Sequence, residues 1–146
     1  MEHAIYAKDI PESGEIALAG VTDITAVIAI DKHGNESKPN YIYMSDHTPM
    51  SLAGIWAHWA SPVGQEIETF SILTTASNSL IQPLHDRMPV ILQPADYSLW
   101  LSKNVHDPHE LERLYQPFPA DKMTAYKVPN LVNNPRFDSP ACIAKV

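Results

Sequence analysis

The chain has little cysteine, little glycine and no long apolar run. Its 146 residues contain a single cysteine, Cys142, which excludes an internal disulfide framework and fits a reducing compartment. No apolar stretch approaches the roughly 20 residues of a membrane-spanning helix, and the first residues lack the charged and then apolar pattern of a signal peptide. We therefore expect a cytoplasmic protein without a membrane partner.

Positive charge is also scarce. Ten Lys and Arg residues stand against seventeen Asp and Glu residues, so the formal net charge is −7. Non-specific binders of nucleic acid normally carry a basic surface, because neutralisation of phosphates supplies most of their affinity. The overall charge disfavours strong binding to nucleic acid, and only a local basic groove would permit it.

Proline, by contrast, is abundant, with thirteen residues against five glycines. Because proline lacks an N–H group and fixes φ, these residues are expected at strand ends, helix starts and loops. A length of 146 residues and a hydrophobic content of 45% are enough for one domain-sized core. The chain is therefore expected to be globular.

Short runs of β-branched and aromatic residues, separated by turn residues, predict strands at residues 24–30, 41–44, 51–59, 66–74 and 125–128. The first run is apolar enough to be a buried strand, and residues 70–78 are typical of a strand that enters a short helix. Two further helix starts are indicated by Pro94 and by Asp107-Pro108. The expected class is α+β, a mostly antiparallel β-sheet with a few short helices.

His85 is the strongest catalytic candidate. Its imidazole can give or take a proton near neutral pH. Asp86 is not expected to orient it, because adjacent residues of an extended chain face opposite ways. Spacing alone favours the alternative, a structural histidine bonded to backbone.

Arg87 is expected on the same side as His85 if the segment is extended. A guanidinium group there can bind a phosphate through two hydrogen bonds, and a salt bridge to Asp86 or to a nearby Glu is an equally good interpretation. A second polar segment offers donors suited to backbone phosphates, although Asn-Asn-Pro-Arg is also an ordinary turn sequence. Its candidate residues are Asn133, Asn134 and Arg136.

Other chemistry is poorly supported. His106 and His109 are three residues apart but have no third ligand nearby in sequence, so we expect no metal site. Cys142 is more typical of small core filling than of a nucleophile. Aromatic residues that could stack on bases are expected to be mostly in the core, at least two of Trp56, Trp59 and Trp100.

Four segments in combination point to a known family. They are Ala53-Gly54-Ile55-Trp56, residues 70–78, residues 84–92 and Val132-Asn133-Asn134-Pro135-Arg136. Together they resemble the SRAP family, the SOS response-associated peptidase domains. The resemblance runs from about Asp31 to the C-terminus. It divides the chain into residues 1–30, a divergent N-terminal segment, and residues 31–146, a partial SRAP-like domain.

SRAP domains attach covalently to abasic sites in single-stranded DNA. The resemblance therefore implies single-stranded DNA and abasic sites as partners, no cofactor, and a role in the DNA-damage (SOS) response. It also implies an abasic-site-crosslinking lyase and a cysteine-type peptidase, which is a hydrolase. For individual residues, it places His85 in the active site and Thr74 at a position that lines the DNA groove, although a threonine at a strand end is more often a turn or cap residue. The implied DNA-binding residues are Arg87, Asn133, Asn134 and Arg136.

The N-terminal segment departs from the family pattern. The family exposes a cysteine directly after the initiator Met, whereas this chain has Glu2. The family's Asn-Ala-Arg segment is not found, and the position of its Glu is occupied by Ala29, whose methyl group cannot take part in acid–base chemistry. A mis-set start, a frame change, a deletion and natural divergence would each give this pattern.

Three functions remain open from the sequence. The first is an abasic-site processing protein whose crosslinking is impaired because the cysteine and the glutamate are absent. The second is a non-catalytic module that binds single-stranded DNA reversibly. The third is an inactive, truncated product, whose unpaired sheet edges would make it self-associate.

Overall fold

The computed structural model describes residues 15–24, 27–31, 38–102, 108–134 and 136–146. The strands are β1 (Glu15–Ile24), β2 (Val27–Asp31), β3 (Lys38–Met44), β4 (Met50–Ala60), β5 (Glu66–Ile72), β6 (Thr74–Ala76), β7 (Arg87–Pro89), β8 (Ile91–Leu92) and β9 (Met123–Lys127). One α-helix, α1 (Tyr97–Trp100), is accompanied by 3₁₀ helices at Pro94–Asp96, Pro108–Tyr115, Ala120–Lys122, Asn130–Asn133 and Pro140–Ile143. The predicted α+β class is confirmed.

The chain divides into two compact units. The first unit contains the described residues within 1–22, 51–74 and 89–116, and the second contains those within 23–50, 75–88 and 117–146. Both are built on antiparallel strand pairs. No helix in the described residues is long and apolar enough to cross a membrane.

In the first unit, a sheet of order β1-β4-β5 is extended by β8, which pairs with β4. Three backbone hydrogen bonds of 2.9 Å join neighbouring segments, from Ala53 N to Val90 O, from Val90 N to Leu73 O and from Leu73 N to Ala53 O. Around them lies an apolar core of Ala53, Val90, Leu92, Trp100, Leu111 and Leu114. Burial of these side chains is the main source of stability in this unit.

Helix formation in the first unit follows the predicted start at Pro94. The 3₁₀ turn Pro94–Asp96 continues into α1, which ends after Trp100. The second predicted helix starts at Pro108 but is a 3₁₀ helix, and its predicted cap, Asp107, lies outside the described residues. Its buried leucines, Leu111 and Leu114, are three apart, which matches the three residues per turn of a 3₁₀ helix.

The tryptophan prediction is wrong in part. Trp100 is fully buried, as expected for a core residue. Trp56 and Trp59 are only half-buried in β4, where they pair with Phe70 and Ile67 of β5. One tryptophan is therefore in the core rather than at least two.

In the second unit, the sheet has the order β2-β3-β9, and burial alternates along β3 from Asn40 to Met44, after the buried Pro39. Asn40, Ile42 and Met44 are buried, whereas Tyr41 and Tyr43 lie on the opposite, partly exposed face. The buried apolar side chains of this unit are Ile42, Met44, Met50, Ile81, Met88, Phe118, Met123 and Val128.

The predicted strand at residues 24–30 overlaps the end of β1 and most of β2, and residues 25 and 26 lie outside the described part. Its expected burial is wrong at Ile28, which is 38% exposed.

Candidate functional site

The strongest candidate site lies where the chain reverses between β6 and β7, which form a two-stranded sheet. The connection is made by consecutive turns rather than by the predicted short helix. Ile81 N and Gln82 N donate to Asn78 O, and then Leu84 N and His85 N donate to Ile81 O. Ser77 N closes the reversal by donating to Asp86 O at 3.0 Å.

Asn78 holds this reversal in place from inside. Its buried side-chain oxygen accepts hydrogen bonds from Leu80 N and Ile81 N, at 3.1 and 3.0 Å. Its nitrogen donates to Phe118 O at 2.7 Å and approaches Met123 Sδ at 3.4 Å. Asparagine favours such turns because its short amide can replace backbone partners. Sequence reasoning did not single out Asn78, although an Asn just after a strand signals this kind of turn.

His85 follows the last of these turns and is partly exposed, with 37% of its side-chain surface accessible. Its Nδ1 atom lies 3.0 Å from the backbone N–H of Arg87, which donates to it. The same Nδ1 atom lies 3.1 Å from Asp86 Oδ1. His85 is therefore both bonded to backbone, as the structural interpretation predicted, and accessible to a ligand.

The prediction that the Asp86 side chain faces away from His85 is wrong, since Asp86 Oδ1 lies 3.1 Å from Nδ1, but the hydrogen bond at Nδ1 comes from Arg87 N–H and the Asp86 side chain is 87% exposed. The prediction assumed an extended chain, in which neighbouring side chains diverge, but β7 begins only at Arg87 and the chain bends at Asp86. The bend brings the carboxylate back towards the imidazole. The same bend removes the basis for expecting Arg87 on the same side as His85; the contact between these two residues is made by the backbone of Arg87, whose side chain is exposed.

The two partners of Nδ1 select different forms of the imidazole. When Nδ1 accepts from Arg87 N–H, the proton of the neutral ring lies on Nε2. When Nδ1 donates to Asp86 Oδ1, Nε2 of the neutral ring carries a free lone pair and can accept a proton. The geometry of His85 therefore permits either a donor or a base at Nε2.

The remaining predicted residues lie on β6, which pairs with β7, and in the loop after the 3₁₀ helix Asn130–Asn133. Thr74 is exposed at the start of β6 and belongs to the first unit. Asn133 ends the 3₁₀ helix Asn130–Asn133, and Asn134 Oδ1 accepts from Arg136 N at 3.1 Å. All three residues of this loop, Asn133, Asn134 and Arg136, are exposed. The loop has the turn structure that its sequence indicated, with polar side chains available at its surface.

Within the described residues, no three His, Cys, Asp or Glu side chains converge where a metal ion could be held. His109 Nδ1 lies 2.6 Å from Glu112 Oε1, and His106 is outside the described part. The Cys142 Sγ atom is partly buried and approaches Phe137 O at 3.5 Å.

Aromatic rings gather on the outer face of the second unit's sheet, a feature that was not singled out from the sequence. Tyr41, Tyr43, His47 and Tyr126 line a cavity of about 320 Å³. The signal was present in the alternation Tyr41-Ile42-Tyr43-Met44, because period-two alternation in a strand sends every second side chain to one face.

A family model described as SOS response associated peptidase (SRAP) matches residues 30–135. The chain belongs to the SRAP family. The match includes Thr74, His85, Arg87, Asn133 and Asn134, and ends one residue before Arg136. The family expected from the sequence is thus confirmed.

Curated relatives agree with this assignment. The chain is 40% identical over 105 residues to the abasic site processing protein YoqW of Bacillus subtilis strain 168, an alignment that covers 72% of this chain and 47% of YoqW. It is 33% identical over 96 residues to the abasic site processing protein HMCES of Rattus norvegicus, with 65% and 27% coverage. The chain spans about half the length of YoqW, the more similar of these two relatives, and a smaller share of HMCES.

Solved structures support the same fold. A protein from Bacteroides thetaiotaomicron superposes with a TM-score of 0.77 at 31% identity, covering 86% of this chain and 56% of the other. A protein from Bordetella bronchiseptica gives a TM-score of 0.65 at 24% identity, covering 75% and 54%. The second comparison supports the fold alone.

Proposed function

We propose that this SRAP chain processes abasic sites by binding single-stranded DNA and opening the abasic sugar, with covalent crosslinking impaired. The observation that carries the proposal is the geometry of His85, an accessible imidazole whose Nδ1 accepts from Arg87 N–H and lies 3.1 Å from Asp86 Oδ1, after a turn held by Asn78. The names of its curated relatives, abasic site processing proteins, give the substrate class.

Asp86 gives His85 a chemical role in this proposal. The step uses the form of His85 in which Nδ1 gives up the hydrogen bond from Arg87 N–H and carries a proton that faces Asp86 Oδ1. Nε2 then takes the proton of the C1 hydroxyl on the cyclic abasic sugar. The bond between C1 and the hydroxyl oxygen then becomes the aldehyde carbonyl, while the bond between C1 and the ring oxygen breaks. The proton on Nε2 passes to that oxygen, which becomes a hydroxyl group, and His85 returns to its starting form. Such acid–base assistance accelerates a reaction by about 10²- to 10⁴-fold.

Covalent capture is the step that we expect to be weak. A stable adduct needs a nucleophile next to the aldehyde. The only thiol of this chain is Cys142, whose Sγ atom faces Phe137 O, and the position of the family's glutamate is held by Ala29 in β2. In this proposal the chain therefore keeps sugar opening and reversible binding, while crosslinking is impaired.

Binding depends on local positive charge, since the chain as a whole has a net charge of −7. Arg87 in the second unit is the proposed phosphate ligand next to His85, and the exposed loop of Asn133, Asn134 and Arg136 supplies further donors. Thr74 is proposed as a groove residue of the first unit. We place this activity in the cytoplasm and in the SOS response, in keeping with the single cysteine and the family assignment.

Binding is tested with a fluorescein-labelled single-stranded oligonucleotide that carries one abasic site, titrated at several salt concentrations. Arg87→Ala should weaken binding and lower the slope of log affinity against log salt by about 1. Arg113→Ala is the matched control, because it removes the same charge from a residue that pairs with Asp96 in the first unit. Equal effects of the two variants would contradict the role of Arg87.

Sugar opening is tested by the rate at which an aminooxy dye captures the aldehyde of the bound oligonucleotide. His85→Ala should slow capture about 100-fold or more, and Asp86→Ala should slow it by less. His58→Ala removes a partly exposed histidine of the first unit and should have no effect. Equal capture rates for His85→Ala and wild type would reject the catalytic part of the proposal.

Self-association is a second proposal, supported by the sheet edge at β5. In the described part of the first unit, β5 pairs with β4 alone, and its Ile67 is 46% exposed. An open strand of this kind is a template for a second copy. Ile67→Lys should shift the protein towards monomer in sedimentation velocity runs, and an unchanged distribution would reject this edge as the interface.

A further inference from the structure

The outer face of the sheet β2-β3-β9 carries a compact group of rings, here called the aromatic face and defined as Tyr41, Tyr43, His47 and Tyr126. The ring centroids of Tyr41 and Tyr126 lie 5.3 Å apart, and those of Tyr41 and Tyr43 lie 5.6 Å apart. His47 stacks on Tyr43 at 5.0 Å with an interplanar angle of 26°. The rings thus form a continuous surface rather than isolated side chains.

Strand register holds these rings in place. Tyr41 of β3 pairs with Tyr126 of β9, and Tyr43 pairs with Thr124, so their side chains share one face. The hydroxyl group of Tyr126 donates to Ile143 O at 2.9 Å, which restrains that ring further. A ligand would meet a platform whose rings are largely pre-ordered, and this lowers the entropic cost of binding.

The turn after β3 places the fourth ring. His47 adopts the left-handed region with φ of 60°, and its N–H donates to Met44 O at 2.8 Å. The carboxylate of Asp46 accepts from both the N–H and the hydroxyl group of Thr48, which lowers the pKa of Asp46. The turn therefore fixes the imidazole against Tyr43 by backbone conformation as well as by stacking.

The cavity lined by these rings has the size and chemistry for a small planar ligand. Its volume of about 320 Å³ is at the lower end for ligand sites. Ring faces provide stacking surface, and the phenol and imidazole edges provide polar groups. Ser45 and Thr124, whose hydroxyl groups are hydrogen-bonded at 2.8 Å, add polar groups beside Tyr43. A planar heterocycle with polar edges matches this lining better than a purely aliphatic side chain does.

One positive charge beside β9 can contact a phosphate attached to that heterocycle. Lys122 directly precedes β9, two residues before Thr124 and four before Tyr126, so strand alternation places it on the side of the aromatic face, whereas Lys127 pairs with the buried Asn40 and belongs to the opposite face. Lys122 is exposed and takes part in no ion pair within the described part of the chain.

Asp121 is adjacent to Lys122 in sequence, and Asp46 follows Ser45, whose N–H donates to Lys122 O. The hydrogen bonds from Thr48 leave the negative charge of Asp46 in place, so stacking on the rings, rather than a net positive charge, carries the proposed site.

We propose that the aromatic face is a base-stacking site for single-stranded DNA, at which a nucleobase lies on the tyrosine rings while Lys122 contacts a flanking phosphate. Aromatic side chains on adjacent strands of an exposed sheet are a recurrent platform for unpaired bases. This inference rests on the proposed function for its ligand, and it adds a second contact region on the sheet, apart from the turn that carries His85.

The test compares two oligonucleotides on the full chain. Both carry one abasic site; in the second, the flanking bases are also replaced by abasic spacers, so that phosphates remain and stacking is lost. Wild-type protein should bind the first oligonucleotide roughly 5- to 100-fold more tightly than the second. Tyr43→Leu should remove most of this difference, whereas Tyr43→Phe, which keeps the ring, should retain it.

Two further variants control for structure and charge. His47→Asn removes a ring while keeping a residue that tolerates the left-handed backbone, and it should reduce the difference partly. Phe137→Leu removes an aromatic side chain that is 40% exposed outside the aromatic face and should leave the difference unchanged. Thermal unfolding of each variant establishes that it is folded before binding is compared.

Each outcome is decisive. If the first oligonucleotide binds more tightly and Tyr43→Leu removes the difference, the base-stacking site is supported. If both oligonucleotides bind equally but Arg87→Ala weakens binding, the stacking site is rejected and the proposed function stands. Ring-dependent binding of undamaged single-stranded DNA without sugar opening supports the stacking site against the proposed function, and no binding to either oligonucleotide rejects both.

Discussion

The two units of this chain use their interiors in different ways. In the first unit the buried cluster consists of apolar side chains and Trp100, whose Nε1 is the one buried side-chain polar atom without a partner in the described residues. The other buried polar side chain of this unit, Ser51, is hydrogen-bonded to Tyr97. In the second unit, Asn40 and Asn78 are buried, and Asn78 connects a turn to a distant backbone carbonyl. The first unit gains stability mainly from the apolar area that is removed from water. The second unit also uses a buried amide side chain, that of Asn78, to hold a turn in position.

This difference matters for function because a chemical group needs a fixed approach as well as exposure. His85 is presented by a turn that Asn78 anchors from below, so its position depends on buried hydrogen bonds. An apolar core alone specifies shape less uniquely than a satisfied polar network does. Substitutions in each unit test this difference.

The largest effect is expected at Trp100 in the first unit. Trp100→Ala empties the centre of the apolar cluster and should lower the free energy of unfolding by about 3–5 kcal/mol. Urea denaturation measures it. Trp100→Phe is the informative partner, because it keeps most of the ring and removes the unpaired N–H; it should cost clearly less. A smaller loss for Trp100→Ala than for Trp100→Phe would contradict the packing account.

The next effect is expected at Asn78 in the second unit. Asn78→Ala leaves Phe118 O and Ile81 N without their side-chain partners and should cost about 1–3 kcal/mol. Asn78→Asp keeps the acceptor for Ile81 N but turns a carboxylate oxygen towards Phe118 O, so it should also destabilise the turn. Rates of aldehyde capture should fall in both variants because His85 loses its support. Full activity in a destabilised Asn78→Ala protein would show that the turn does not position His85.

A smaller effect is expected from the hydroxyl pair of Ser51 and Tyr97 in the first unit, which are hydrogen-bonded to each other in a part-buried setting. Tyr97→Phe should cost about 1 kcal/mol, because one ordinary hydrogen bond is lost while the ring stays packed. Chemical denaturation of Tyr97→Phe against wild type gives the value. A loss as large as that of Asn78→Ala would mean that the first unit also depends on polar positioning.

The smallest effect is expected at the turn of the aromatic face. The hydroxyl group of Thr48 lowers the pKa of Asp46 below 3.8, so the ionised form is favoured in the folded protein. The contribution of this ionised carboxylate to stability is present above pH 3.8, the ordinary pKa of the group, and is lost as the pH falls through the lowered pKa of the folded protein. Thr48→Val should therefore unfold slightly more easily than wild type at neutral pH. The melting temperatures of Thr48→Val and wild type should converge in acid. A difference that grows as the pH falls would contradict the lowered pKa of Asp46 in the folded protein.

The strand pattern was predictable because period-two alternation and proline placement are local properties. The alternation Tyr41-Ile42-Tyr43-Met44 gave β3 and implied that its tyrosines share a face. The predicted start at Pro94 was also found, since proline is pre-set for the first turn of a helix. These signals lie within a few residues of one another.

Features set by distant contacts were not predictable. Asp86 approaches His85 because the chain bends after a turn that Asn78 ties to Phe118, forty residues away in sequence. Trp100 of α1 is fully buried, whereas Trp56 and Trp59 of β4 are only half-buried. The burial of each tryptophan depends on which other segments pack over it, and those segments are distant in sequence. The left-handed conformation of His47 likewise has no local sequence signal as strong as glycine would give.

The central claim, retained binding with impaired crosslinking, is tested most directly by incubating the protein with abasic single-stranded DNA and running matched native and denaturing gels. The account predicts a shifted complex on the native gel and no heat-stable adduct on the denaturing gel, with an intact SRAP protein forming the adduct in parallel. A heat-stable adduct of this chain would contradict the account. Its persistence in Cys142→Ala, or its dependence on borohydride trapping, would then identify an amine rather than the thiol as the nucleophile.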